Sequence, residues 1–570
     1  MPNLTKTHIT LLSLVLALSS GCSIPKVESD SQLETEAKIE SKARHDTRYE
    51  ALHESQAATI SAAPLKKQIN MSHSLKMKGH EMKGHEVSTR HSKDTERYQA
   101  LTANNIKKVS ENSVSTFSID VDTAAYSNTR RVLNQGRLPS ADMVRTEELV
   151  NYFRYDYETP SNKDRPFSVT SEIAPTPWNT KSYLLNIGIK GFDVDHSDLP
   201  AANLVFLIDV SGSMSSSYKL GLVKKSFQML TRQLDEKDRV SIVVYAGAAG
   251  MVLAPTPGND RVAINSALDN LTSGGSTNGS AGIELAYQLA QQSFIKGGIN
   301  RVIIASDGDM NVGISNTQAL LDLIKQKRDF GISLTTLGYG MGNYNSHLME
   351  QLADVGNGNA AYIDNLREAQ KVLVEEMSST LFTIAKDVKI QIEFSPLVSE
   401  YRLIGYENRL LNREDFNNDK VDAGDIGAGH TVTALYEITL ASDNHDQIDP
   451  LRYTQTNKRS VPELNELAFL KLRYKLPSTS MSTSISNSTS KLVSYPINKS
   501  IIQNKLSESS NNFKFSAAVA AFGQRLRGGN YLVDDFDYEE ILSLARQGKG
   551  PDNNGYRGEF VQLVKLANSL

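Results

Sequence analysis

The residues best suited to chemistry lie in "FLIDVSGSMSSS", positions 206–217, where one carboxylate and a run of hydroxyls directly follow an apolar stretch. A loop in a tight turn can aim alternate positions at one centre. Asp209, Ser211 and Ser213 can therefore present three oxygens to a single ion, and Gly212 lets the backbone turn. Two later loops carry matching groups: "LTSGGSTNGSAG" supplies Thr277 and "ASDGDMN" supplies Asp307. Together these five residues offer only hard oxygen donors with few charges, which suits Mg²⁺, with Mn²⁺ or Ca²⁺ as ions of the same oxygen-seeking class. Neutral hydroxyl donors leave such an ion electron-poor with a coordination place open, so a carboxylate of a partner protein can complete the shell. Neither G-x-S-x-G nor H-E-x-x-H occurs, so the set reads as a binding site and not as an enzyme's. Metal-assisted hydrolysis and a scaffold with a purely structural ion are the alternatives.

Three separate loops can meet only if the elements before them deliver them to one edge. "NLVFLID" is apolar without alternation, the mark of a strand covered on both faces, and Asp209 stands at its exit. A helix follows, with Leu220, Val223, Phe227, Leu230 and Leu234 on one face and Ser215 to Ser217 as candidate N-caps. Buried strands and amphipathic helices then alternate to about 386: "RVSIVVYA", helices at 261–271 and 282–294, "NRVIIAS", a helix ending at Gly331, "ISLTTLGYG", "AAYID" and a last helix through Val372 and Met377. This predicts an α/β domain over 201–386 built on a doubly wound parallel sheet of about six strands, whose ligands gather beyond the carboxyl ends of the strands.

The flanks alternate instead, as half-buried antiparallel strands do. Such runs fall at 167–189, 388–394, 432–440 and 470–476, so the α/β domain is expected to interrupt a β-sandwich made from both its sides. The N-terminal flank, 105–200, starts with a short strand and two helices, the second entered through Pro139 and Ser140. The C-terminal region, 387–570, ends in helices through Phe515, Val519 and Phe522 and through Tyr556, Phe560 and Leu563. Asp120 and Asp122 read as a helix-start or structural feature, and the Ser/Thr tract at 478–490 as a loop insertion.

The pattern D-x-S-x-S after a buried strand, with T and then D-G on later loops, resembles the metal-ion-dependent adhesion site (MIDAS) of von Willebrand factor A (VWA) domains at all five positions. "FSIDVDTAAYSNTRR" and "YRLIGYENRLLNREDFNNDKVDAGDIGAGHTVTALYEI" are similar to the conserved flanks of bacterial VWA lipoproteins, a likeness that runs from about 105 to 570. The resemblance implies a Rossmann-like VWA fold and a Mg²⁺-dependent protein-binding role, with Asp209, Ser211, Ser213, Thr277 and Asp307 as ligands.

Ahead of these regions, "ITLLSLVLALSSGC" is shorter than the roughly 20 apolar residues that a membrane-spanning helix needs and has the length of a signal-peptide core. Its end resembles the bacterial lipobox, which implies a signal peptide over 1–21 and acylation of Cys22; Ser19 stands where that pattern usually has Leu. Cys22 is the single cysteine, which excludes an intrachain disulfide. By the same resemblance Ser23, where an Asp tends to mark retention at the inner membrane, points to the outer membrane facing the periplasm. The polar stretch 22–104 reads as a disordered tether, and its tandem repeat "MKGHEMKGHE" as duplicated linker in preference to a metal site. A net charge of -4, without a basic patch, argues against nucleic acid as a partner. "DFNNDKVDAGDI" at 415–426 lacks the glycine and terminal carboxylate of a calcium loop and reads as a solvated hairpin loop. "GYGMGNY" at 338–344 lacks the features of a dinucleotide fingerprint, and places Tyr339, Asn343 and Tyr344 as candidate rim residues.

Overall fold

The computed structural model describes residues 96–119, 122–160, 165–276, 279–308, 317–449, 465–477, 489–533 and 535–570. Cys22, the histidine–methionine repeat, Asp120, Thr277 and most of the Ser/Thr tract lie outside them. In chain order the N-terminal flank contributes β1 (Lys107–Lys108), β2 (Val114–Ser118), α1 (Ala124–Asn134), α2 (Thr146–Asn151), β3 (Phe167–Thr176) and β4 (Asn179–Gly191). The α/β domain follows with β5 (Ala202–Asp209), α3 (Leu220–Thr231), β6 (Arg239–Tyr245), β7 (Ala249–Pro257), α4 (Arg261–Asp269), α5 (Gly279–Gln292), β8 (Ile299–Ser306), α6 (Thr317–Asp329), β9 (Ser333–Tyr339), α7 (Ser346–Val355), β10 (Ala360–Ile363), α8 (Leu366–Gln370) and α9 (Met377–Leu381). The last part holds β11 (Thr383–Phe394), β12 (Val398–Ile404), β13 (Ile426–Gly427), β14 (Thr431–Leu440), β15 (Glu466–Lys475), β16 (Lys491–Asn498), α10 (Asn511–Leu526), α11 (Tyr538–Gly548) and α12 (Tyr556–Ser569).

The α/β sheet has the order β10-β9-β8-β5-β6-β7, with every pair parallel except β6–β7. Strand β5 shows why its sequence does not alternate. Leu204, Phe206 and Ile208 enter the core beneath α3 and α4, while Val205 and Leu207 enter the core beneath α5 and α6. Phe206 stacks on Phe227 of α3 with ring centroids 4.1 Å apart, which fixes the helix on the sheet. The first crossover from β5 goes to β6 on one side and a later one brings β8 to the other. The strand order therefore reverses at β5, and the crevice where ligands collect opens beyond Asp209.

Two antiparallel sheets form the sandwich. One has the order β1-β12-β14-β4-β3; the other has β13-β11-β15-β16, with β2 also on β11. Between them lie Ile187, Ile189, Ile390, Ile392, Tyr436 and Leu470 among others. The alternating runs after residue 386, expected to pair with those at 167–189, do so only in part: β14 pairs with β4, whereas β11 and β15 pair with each other in the opposite layer. Leu184 and Leu435, on the outer face of the first sheet, pack under α1, α2 and the three C-terminal helices. The domain is inserted between β4 and β11, as expected.

Some boundaries differ from those expected. Helix α3 begins at Leu220 with no side-chain cap, so Ser215 to Ser217 belong to the loop. Ser140 precedes a single 3₁₀ turn, Ala141–Met143, and α2 starts only at Thr146. The helix through Val372 and Met377 is interrupted by a π-helical turn over Lys371–Glu375. Asp122 is buried, accepts the N–H of Ala360 at 2.8 Å and pairs with Arg409 at 3.1 Å, a structural role that ties the flank to β10. In the 415–426 loop the side-chain oxygens of Asp415, Asn417 and Asp419 accept from Asn412, Arg473 and Ser490 respectively, so each is engaged by a protein donor. Among the described residues no helix is long and apolar enough to cross a membrane.

Candidate metal-binding site

Asp209 ends β5 and is fully buried. Its Oδ1 accepts the N–H of Ser211 at 2.9 Å, which folds the chain back on itself, and the Ser211 and Ser213 hydroxyls then lie 3.0 Å apart. Its Oδ2 accepts from the Ser306 hydroxyl at 3.1 Å, at the end of β8. The Ser306 oxygen also accepts the N–H of Gly308 at 3.0 Å, which brackets the fully buried Asp307 between two anchored neighbours. The loop after α4 is pinned to the same place: Gly274 donates to the Val210 carbonyl at 2.7 Å and Gly212 donates to that of Gly275 at 3.1 Å. Asp209, Ser211, Ser213 and Asp307 are therefore brought together on one edge, and the backbone two residues before Thr277 is bonded to the Asp209 loop.

The charge balance is unusual for an interior. Donors onto Asp209 are neutral, and burial first, with a smaller contribution from the Asp307 charge, pushes its carboxyl up to about 6 against the opposing bonds from Ser211 and Ser306. Tyr245, its register partner on β6, has its phenol held well above the usual range by burial and then by the Asp209 charge. Asp307 has an ammonium partner, Lys219 Nζ at 2.8 Å, itself buried and reaching the Asn343 side-chain Oδ1 at 3.4 Å. Two buried carboxylates beside two hydroxyls are a hard-oxygen donor set of the kind a divalent cation takes, and one ammonium offsets part of their charge. Among the described residues no three His, Cys, Asp or Glu side chains gather as softer or all-acidic sites require.

Lys219, Ser306 and Glu96 escape a reading by spacing. A lysine at the N-terminal end of a helix opposes the helix dipole, and that misfit was the available signal for Lys219. Of the three residues expected at the rim, Asn343 is there through Lys219 and Tyr344 lays its buried ring against Gly308, next to Asp307, whereas Tyr339 is buried in the core beneath α3. The 340–345 loop is also clamped from outside by the segment at 96–98. Gly342 donates to Glu96 at 2.8 Å, Arg97 donates to the Tyr344 carbonyl at 2.9 Å, and Ser346 donates to that of Arg97 at 3.2 Å. The chain is thus bonded to the body from Glu96 onward, inside the stretch expected as tether.

Family models match three consecutive parts of the chain. That of the von Willebrand factor type A domain matches residues 203–375, one described as von Willebrand factor matches 92–186, and one described as "Uncharacterized protein YfbK, C-terminal" matches 379–570. Over 484 residues the chain is 48% identical to the "Uncharacterized protein YfbK" of Escherichia coli (strain K12), covering 84% of this chain and 82% of that protein. The chain belongs to the YfbK family of VWA-domain proteins. This YfbK-family chain is also 24% identical to human inter-alpha-trypsin inhibitor heavy chain H3 over 256 residues, 42% of this chain and 28% of that one. A solved von Willebrand factor type A structure from Catenulispora acidiphila aligns at 13% identity over 72% of this chain and 91% of its own, with a TM-score of 0.40.

Proposed function

We propose that this protein is a lipid-anchored module of the bacterial cell envelope that captures a partner protein through a divalent cation at the rim of its VWA domain. The observation that carries this reading is the pair of fully buried carboxylates, Asp209 and Asp307, set beside the Ser211 and Ser213 hydroxyls at the reversal point of the sheet. Asp209, Ser211, Ser213, Thr277 and Asp307 would hold the ion, Mg²⁺ first among the candidates. A bound ion with neutral hydroxyl ligands supplies an electrophilic centre for an acidic side chain of the partner. Within the chain, Ser306 orients Asp209 and the Ser211 N–H fixes its rotamer, so the oxygens are arranged before any ion or partner arrives. Capture of a protein carboxylate requires no general base, and the reading is of a binding protein, not an enzyme.

In this reading acylation at Cys22 anchors the protein to a membrane, Ser23 directs it to the outer membrane facing the periplasm, and the polar N-terminal stretch gives it reach. One experiment covers both halves. Envelope extracts are passed over the mature wild-type protein, over Asp209→Ala, and over wild type with EDTA, while cells expressing Cys22→Ala are fractionated. Capture by wild type alone, with Cys22→Ala released from the membrane fraction, is the expected result. Equal capture in all three arms eliminates the metal-bridged reading, and unchanged membrane association of Cys22→Ala eliminates the anchor.

A further inference from the structure

We propose that Lys219 is a resident counter-cation of the metal rim: it neutralises Asp307 when no divalent ion is bound, and weakens ion binding so that a bound ion keeps positive charge for an acidic partner. The inference rests on the reading that the Asp209 and Asp307 loops hold a divalent cation. Three observations carry it. First, Lys219 is buried at the start of α3, where helix N–H groups and the helix dipole favour an anion, so its place is held by specific partners and not by local preference. Those partners are Asp307 Oδ2 at 2.8 Å and Asn343 Oδ1 at 3.4 Å, which join the rim loop after β9 to the loop after β8. Second, a slot exists for its stem. Gly340 has φ +81°, and a Cβ there would collide with the Lys219 methylenes, so the backbone is shaped around this side chain. Third, the charges balance in a particular way. Among the described residues, two carboxylates and one ammonium leave a formal charge of minus one, and a divalent ion raises that sum by two, to a positive value that attracts a carboxylate; removing the ammonium lowers the charge of the loaded rim by one.

The test uses the full-length mature protein with Mg²⁺ and Mn²⁺ alone as probes, measured by titration calorimetry and by melting with chelator or with saturating ion. Lys219→Met is expected to bind either ion about tenfold more tightly than wild type, because a like charge next to the ion has gone. Its metal-free Tm falls and its ion-induced rise in Tm exceeds that of wild type. Lys219→Gln keeps an N–H donor for Asp307 but drops the charge, so it follows Met if the charge matters and follows wild type if Lys219 is only a spacer; it also serves if the Met variant does not fold. Affinity in Lys219→Gln within twofold of wild type, or weaker, overturns the inference alone. Failure of wild type itself to bind either ion overturns the metal reading beneath it and the inference with it.

Discussion

At the scale of single residues, the rim trades stability for readiness. An acid whose folded pKa lies above its unfolded value binds more protons when folded, so the folded state is favoured at low pH and loses that advantage as pH rises. For Asp209 the window runs from its ordinary 3.8 to about 6, and the metal-free protein should lose at most about 3 kcal/mol across it. Asp209→Asn should flatten this part of the pH profile and raise the metal-free Tm at pH 7, measured by calorimetry in chelator. An identical slope in the variant would show that the titrating group lies elsewhere. Four of the five proposed ligands were legible as neighbours because chemistry leaves its signature in residue types: alternation and strand exits single out Asp209, Ser211, Ser213 and Asp307, and the structure places them on one edge, whereas Thr277 lies outside the described residues. Lys219 is hard to pick out, because a lone lysine ten residues beyond the aspartate resembles a solvated charge, and only its place at a helix start, against the dipole, sets it apart before the fold buries it against Asp307.

At the scale of elements, buried periodicity was readable and pairing was not. Strands β5 and β8 carry the unbroken apolar runs Leu204–Ile208 and Val302–Ala305 because helices cover both faces, which sequence reports directly. Strand β7 was missed because it is an antiparallel edge that leaves Met251 and Val252 exposed, so neither a buried run nor a clean alternation marks it. Alternation likewise gave the faces of β11, β14 and β15 but not their partners, since period two says which side is buried and nothing about the neighbour. Helix α11 carries a usable signal, the Asp537 and Glu540 capping box, which hydrophobic period alone passes over. The clamp of 96–98 on the 340–345 loop belongs to the same level and leads to a prediction. Glu96 accepts the Gly342 N–H and pairs with Arg131 at 2.7 Å, so Glu96→Ala removes a charge-assisted bond from the loop that carries Asn343. Amide exchange at Gly342 should accelerate about tenfold or more while that in β5 stays unchanged, as followed by hydrogen-exchange mass spectrometry. Unaltered exchange at the loop would mean that its own packing holds it.

At the scale of the whole molecule, the inserted domain is fastened to its flanks through Arg130. This guanidinium projects from α1 and is almost wholly buried. Its Nε donates to Asp364 beyond β10 at 2.9 Å, one terminal nitrogen donates to Glu368 of α8 at 2.8 Å, and the other donates to Tyr152 and to Glu559 of α12, both at 3.0 Å. N-terminal flank, VWA domain and C-terminal helices thus share one cation, and the Tyr126 and Tyr152 rings, stacked 3.7 Å apart, exclude water beside it. Taking away one member of such a buried cluster costs more than the cluster gains by existing, because the remaining charges stay desolvated and unpaired. Arg130→Met should therefore destabilise the protein by about 3–5 kcal/mol and separate the VWA transition from that of the flanks in a calorimetric scan. Arg130→Lys should recover only part, since a single ammonium cannot fork to Asp364 while reaching Tyr152 and Glu559. The decisive comparison adds Glu368→Gln to Arg130→Met. If the loss comes from stranded negative charge, the double variant is more stable than Arg130→Met alone; if it comes from lost packing, the second change adds its own cost, and the cation is then filler between three bodies that hold together without it.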